Sequence, residues 1–474
     1  MHDQKRKELL EGPIIKSLIT LSVPIILANI LQAGYQLTDA FWVGRLGGTA
    51  VASVAVSGPI AFFSMSLGIG FAIAGSTLIA QYFGAKNQKM VDHVASQTLL
   101  MIVVVSTVIG IAGYVLTPMI LKMMGVAPDV YAGALGFMRV SFVGLVFNFF
   151  FFMFQSVMRG AGETKLPVYI VLGTVLLNFA LDPLFIFGWK FIPAMGVMGA
   201  AVATLGTQSI AAIIGLFVLL HGKYGIHLSL SDFKPDFTFI KRAFFLGFPA
   251  SIEQSARSLG FTIITFLIAS FGTLTVAAYG AGSNILQVVI IPMMGVSMAI
   301  STLVGQNIGA KNLKRASEIG RIGGWISFWS MTFFGLVIFI WAKKIIAFFV
   351  PNDVDVINAG AVFLRIVSLS WGFMAVQFSL NGVFRASGNM KVSMVLALLS
   401  QWVLQFPLAY ILSKHTALGI QGLWWSFSVT NIVMCFITIA WYMKGDWKKT
   451  KLTEETILQE KVSEEILAEE GVRQ

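Results

Sequence analysis

LIAQYFGAKN at residues 78–87 and TLVGQNIGAKN at 302–312 are two spellings of one segment, and their likeness decides the fold. Working outward, Pro24 matches Pro249, Gly47 matches Gly272, Gln81 matches Gln306 and Gly84 matches Gly309, all at one constant offset. VMRGAGETK around Arg159 returns as VFRASGNMK around Arg385, and GVMGAA from Gly196 returns as GIQGLW from Gly419, with the offset drifting by one or two residues. The chain therefore holds two homologous halves. In a strongly apolar chain, duplication of this kind is the usual signature of a transporter whose two bundles flank a substrate path.

Of 474 residues, 57% are hydrophobic and 12% charged, and the mean hydropathy is +0.82. A soluble domain carries about 25% charged residues, so the chain reads as an integral membrane protein. A span needs ~20 predominantly apolar residues, and Gly, Pro and charge punctuation divides the sequence into twelve. They are expected at 17–44, 50–82, 94–118, 130–156, 166–188, 196–221, 243–270, 275–306, 322–342, 356–382, 392–413 and 418–443. A β-barrel is excluded, because runs such as MIVVVSTVIGIAGYVL show no polar residue at every second place. The expected fold is all-α, with twelve transmembrane helices in two homologous six-helix lobes. Its divisions are an N-terminal segment at 1–14, an N-lobe at 15–221, an inter-lobe linker at 222–240, a C-lobe at 241–443 and a polar, acidic tail at 444–474.

The net charge of +11 raises the question of a nucleic-acid partner, and the placement of the charge answers it. With the N-terminus inside, the termini and inner loops collect most of the Lys and Arg, among them Lys5, Arg6, Lys7, Lys86, Lys89, Lys241, Arg242, Lys311, Lys314 and Arg315. That asymmetry is the positive-inside rule. It predicts that both termini are cytoplasmic and that no nucleic-acid partner is needed. The expected setting is the plasma (inner) membrane of a prokaryote, with a multi-pass monomer surrounded by lipid. A single cysteine, Cys435, allows neither an internal disulfide nor a thiolate metal site, and no cofactor is expected.

Only three of the 22 acidic residues fall inside spans: Asp39, Asp182 and Glu253. A charge at the bilayer centre costs at least ~2.5 kcal/mol, so each needs a reason. On the first span Gln32, Tyr35 and Asp39 share one face, with Asn29 slightly off it. On the fifth, Asn178 stacks over Asp182 at i, i+4, and Thr204 on the sixth adds a hydroxyl at comparable depth. Two carboxylates, an amide oxygen and a hydroxyl are hard donors suited to a small dehydrated cation such as Na⁺. Crowded away from water, the same carboxylates would instead share or retain a proton.

The second half serves as an internal control. Asp39 corresponds to Ile264, the Asn178–Asp182 stretch to WVLQF before Pro407, and Thr204 to Phe427. The acids are thus confined to one half, which argues for a functional site and against generic packing. Glu253 and Arg257, four residues apart, are expected either to pair or to form a polar wall of a path in the C-lobe.

These residues carry a resemblance. LSVPIIL…TDAFWVGRLG, QYFGAKN and its echo, VMRGAGETK, and LNFALDPLFIFG followed by GVMGAAVAT resemble the multidrug and toxic compound extrusion (MATE) family over roughly 12–445. Within it the chain is similar to the branch named after the DNA-damage-inducible protein F. Carried over position by position, the resemblance implies that Asp39, Asn178, Asp182 and Thr204 form a cation or proton site. It also implies that Gln32 lines a polar cavity and that Pro24 is where the first helix bends. The chain departs from the family pattern at Trp189, Lys190 and Pro193, which lengthen one loop, and in a tenth span that lacks the Asp of a second, C-lobe cation site.

The expected activity is H⁺- or Na⁺-coupled antiport of amphipathic, often cationic organic compounds. A lipid or lipid-linked oligosaccharide flippase is the alternative within transport. A membrane-embedded enzyme is the alternative outside it, disfavoured because neither HExxH nor GxSxG occurs.

Overall fold

A computed structural model describes residues 2–228, 230–450 and 452, so most of the acidic tail lies outside the described residues. Six long helices form the first bundle: α2 (Ile14–Gly44), α3 (Gly48–Gly84), α4 (Gln88–Met123), α5 (Pro128–Gly160), α6 (Lys165–Phe187) and α7 (Val197–His221). A short α1 (His2–Glu11) precedes them. The second bundle opens with α8 (Phe237–Ala269), α9 (Thr273–Gly309) and α10 (Leu313–Phe349). It continues with α11 (Val354–Ser368), α12 (Trp371–Ala386), α13 (Met390–Leu398), α14 (Phe406–Lys414) and α15 (Ile420–Lys444). Among the described residues ten helices are long and apolar enough to cross a membrane, eleven when α11 and α12 are taken as one bent span. The twelfth is α8, whose apolar run is interrupted by Glu253 and Arg257.

The repeat is visible in the backbone. Asn87 and Asn312 each cap the following helix, accepting from the Met90 and Arg315 backbone N–H groups at 3.2 and 3.1 Å. The lysine before each cap is left-handed, with φ of 61° at Lys86 and 59° at Lys311. Gly196 and Gly419 open equivalent helices at φ of 57° and 51°.

Two differences from the expected spans have physical causes. The tenth span is bent by 50° between α11 and α12, although no proline stands there. Ser370 lets the break form: its hydroxyl donates to the Val367 carbonyl at 2.8 Å and accepts from the Asn431 amide at 3.1 Å. The eleventh passes through a π-helical stretch, Leu399–Gln405, between α13 and α14. The linker also ends earlier than expected, since the Asp236 side chain accepts from the Phe239 backbone N–H at 3.0 Å and starts α8.

The bundles meet along the C-terminal half of α3. Ser66 and Ser255 hydroxyls lie 2.9 Å apart, and Ser251 donates to the Leu67 carbonyl at 2.7 Å. Thr77 donates to the Arg385 carbonyl at 3.1 Å. Two buried glutamines then exchange bonds across the seam: Gln81 with the Ala386 carbonyl at 2.7 Å, Gln306 with the Gly160 carbonyl at 3.0 Å. Gly84 and Gly309 permit this closeness, because a Cβ on either would collide with the backbone carbonyl of Gln306 or Gln81 respectively. The seam is thus tightest at the end that carries the two AKN loops.

Candidate functional site

The four donors expected to form one cluster are brought together from α2, α6 and α7. The Asn178 amide donates to Asp182 Oδ1 at 3.0 Å and to the Thr204 hydroxyl at 3.3 Å. Thr204 donates in turn to both oxygens of Asp39, at 3.3 Å each. The helical spacing of Asn178 and Asp182 stacks them on one face of α6, and α2 and α7 both pack against that helix. Asn178 and Asp182 are fully buried.

Two oxygens of the cluster, Asp182 Oδ2 and Asn178 Oδ1, are buried with no hydrogen-bond partner. A buried acceptor without a donor is costly, of order 1–3 kcal/mol, more when charged. A cation or a proton would satisfy both. The donor set is all oxygen, which suits Na⁺ or H⁺ and not a thiolate-seeking metal. Among the described residues no group of three or more His, Cys, Asp or Glu could hold a metal ion.

Further along the same face of α2, the Tyr35 hydroxyl is buried without a hydrogen-bond partner. Gln32 Oε1 and Asn29 Nδ2 are likewise buried and unpartnered. Pro24 lies inside α2 one turn before Asn29. Toward the far end of α2, Trp42 packs against Phe41, Phe179 and Phe187, with the Arg45 guanidinium 4.9 Å from its ring. This aromatic cap was not expected from the sequence. Its members stand among 40 phenylalanines and 11 tryptophans, and nothing in spacing alone sets them apart.

In the C-lobe, Glu253 and Arg257 do pair, at 3.3 Å. The closer partner is one sequence reasoning missed: Arg385 on α12, whose guanidinium lies 2.6 Å from the same Glu253 oxygen. The available signal was the repeat, because Arg385 falls at the position of Arg159. Glu253 is fully buried, with Oε1 held by two arginines and Oε2 left without a hydrogen-bond partner.

A family model described as MatE matches residues 24–184 and 249–411, the stretches the internal repeat pairs. The chain is 29% identical over 449 residues to the probable multidrug resistance protein YpnP of Bacillus subtilis (strain 168), covering 94% of this chain and 99% of that one. It is 26% identical over 449 residues to the probable multidrug resistance protein NorM of Thermotoga maritima, covering 94% and 96%. A solved structure described as the outward-facing conformation of a multidrug resistance MATE family transporter aligns with a TM-score of 0.86 at 24% identity, over 94% of this chain and 98% of that one. That likeness bears on the fold alone.

Proposed function

The chain belongs to the MatE family, and from that premise we propose that it is a cation-coupled antiporter exporting amphipathic, often cationic organic compounds by alternating access. The observation that carries the coupling is the chain of contacts Asp39–Thr204–Asn178–Asp182, with two buried oxygens left open. The names of the relatives, probable multidrug resistance proteins, support the cargo class. Charge placement favours the AKN-loop end as cytoplasmic, with both termini on that side, in the plasma membrane of a prokaryote. On that reading the seam along α3 closes the cytoplasmic side.

In this state the organic compound and the cation compete for the first lobe. Entry of H⁺ or Na⁺ from outside neutralises Asp39 and Asp182, bends α2 at Pro24 and expels the cargo. Such coupling requires that ion and cargo prefer different conformations. One charge crossing 100 mV supplies ~2.3 kcal/mol, which sustains a gradient of nearly two decades. The position of Asp39 on α2 and of Asn178 and Asp182 on α6 supports the branch named after the DNA-damage-inducible protein F. The expected working unit is the monomer, since each chain contributes both lobes.

The test is export of a fluorescent organic cation from cells producing Asp39→Asn. Efflux at background, with protein in the membrane at the normal level, is the expected result. Wild-type efflux from that variant contradicts the role given to Asp39.

A further inference from the structure

We propose that the two ends of the chain are a matched pair of straps across the seam, and that the lobes part on the AKN-loop side only when both let go. The proposal rests on the alternating-access reading above and names what holds the cytoplasmic side shut. It starts from two loops that the repeat makes equivalent, the α5–α6 loop in VMRGAGETK and the α12–α13 loop in VFRASGNMK. Each places a glycine in the left-handed region, Gly162 at φ of 79° and Gly388 at φ of 81°. Each glycine also has a leucine in the space its own side chain would fill: a Cβ on Gly162 would collide with Leu9, and one on Gly388 with Leu452. The two leucines come from opposite ends of the chain, outside the paired stretches of the repeat. Equivalent loops are thus covered by unrelated segments.

The N-terminal strap is α1. Gly12 and Pro13 separate it from α2: the Gly12 N–H closes α1 on the Glu8 carbonyl at 2.9 Å, and Pro13 is extended, with φ of −58° and ψ of 126°. Turned in this way, α1 packs against α9 of the second lobe. Leu9, 3% exposed, is buried in one cluster with Leu303 and Val304 of α9 and Ile319 of α10, while Gly162 beneath it belongs to the first lobe. Arg6 lies 5.9 Å from the Phe83 ring of α3, and the Arg315 guanidinium of α10 donates to the Gly12 carbonyl. The C-terminal strap begins where Gly445, at φ of 77°, stops α15. Trp447, 1% exposed, stacks on Tyr442 at 5.4 Å and donates to its carbonyl at 3.1 Å. Beyond it the Leu452 carbonyl accepts from Arg242 of α8, and its side chain packs against the cluster in which Phe239 and Ala243 of α8 join the core of the first lobe. Both straps therefore have one build, a leucine on the glycine loop and a carbonyl held by an arginine of the second lobe. A leucine buried between two bodies loses that burial when they separate, so each strap favours the closed seam over the open one.

The test counts openings of the seam. Thr77, 2% exposed on α3 and bonded across the seam to the Arg385 carbonyl, is replaced by cysteine in a Cys435→Ala background. Full-length protein in nanodiscs is then treated with a water-soluble maleimide. Labelling requires the lobes to part, and its rate scales with the open population. Leu9→Ala and Leu452→Ala should each speed labelling about tenfold, and the double variant about a hundredfold. Arg315→Gln and Arg242→Gln keep both leucines and should speed it in the same direction; they decide the matter where a leucine variant does not fold. Leu364→Ala truncates a fully buried leucine inside the second lobe, so it should lower the unfolding midpoint and leave the rate within about twofold. Unchanged labelling in the strap variants, or an equal rise in Leu364→Ala, overturns the proposal. Labelling needs neither ion nor cargo. Unchanged rates beside an Asp39→Asn variant without efflux sink the straps alone, whereas faster labelling beside wild-type efflux from Asp39→Asn sinks the transport reading alone.

Discussion

The two lobes share a backbone and differ in where they keep charge. In the C-lobe, Glu253 Oε1 is held by both Arg257 and Arg385. Ile264, 1% exposed, occupies the position of Asp39. The stretch equivalent to Asn178–Asp182 winds into a π-helical segment, where Gln405 donates to the Ser426 hydroxyl at 3.0 Å as a neutral pair. In the N-lobe the same region carries two acids and leaves Asp182 Oδ2 and Asn178 Oδ1 unpartnered. By contrast, the closest contacts between the lobes occur in duplicate, the Gln81 and Gln306 bonds and the Gly84 and Gly309 contacts, as do the asparagine caps within each lobe. Duplication has preserved the parts that make the bundles fit each other. What separates the lobes is the group Asp39, Asn178, Asp182 and Thr204, which comes together in the first and has no counterpart in the second.

The comparison breaks most visibly if the acid can be moved. Asp39→Asn combined with Ile264→Asp restores an acid at the equivalent position of the other lobe. Efflux from that double variant should stay at background, because the C-lobe offers no counterpart of Asn178, Asp182 and Thr204; recovered efflux would show the lobes to be interchangeable. A smaller effect is expected from Glu253→Gln, which leaves two guanidinium groups facing no charge. Loss of one partner of a buried ion cluster costs about 3 kcal/mol, so thermal unfolding in detergent should fall clearly below wild type. An unchanged midpoint together with lost coupling would instead place an ion site in the C-lobe. The smallest effect sharpens the symmetry. Asn87→Ala and Asn312→Ala each remove one helix cap, and each should lower stability by ~1 kcal/mol, equally within error.

Much of this was legible in the residues. The repeat, the helical class, and the grouping of Asp39, Asn178, Asp182 and Thr204 follow from periodicity and from the cost of burying charge. These signals act within one helix or recur at a fixed spacing. What escaped depends on contacts between distant segments. Arg385 lies 132 residues from Glu253, and the repeat that marks Arg385 does not say which acid it meets. The break at Ser370 has no proline to announce it; the Ser370 hydroxyl bonds the Val367 carbonyl and is itself held by the Asn431 amide from another helix.

The most direct test of the N-lobe site is ion release from purified protein on adding an organic cation, followed with a pH indicator and, in parallel, a sodium electrode. Wild type and Glu253→Gln should release H⁺ or Na⁺, while Asp39→Asn and Asp182→Asn should release neither. Undiminished release from both aspartate variants would contradict the assignment of the coupling ion to the first lobe.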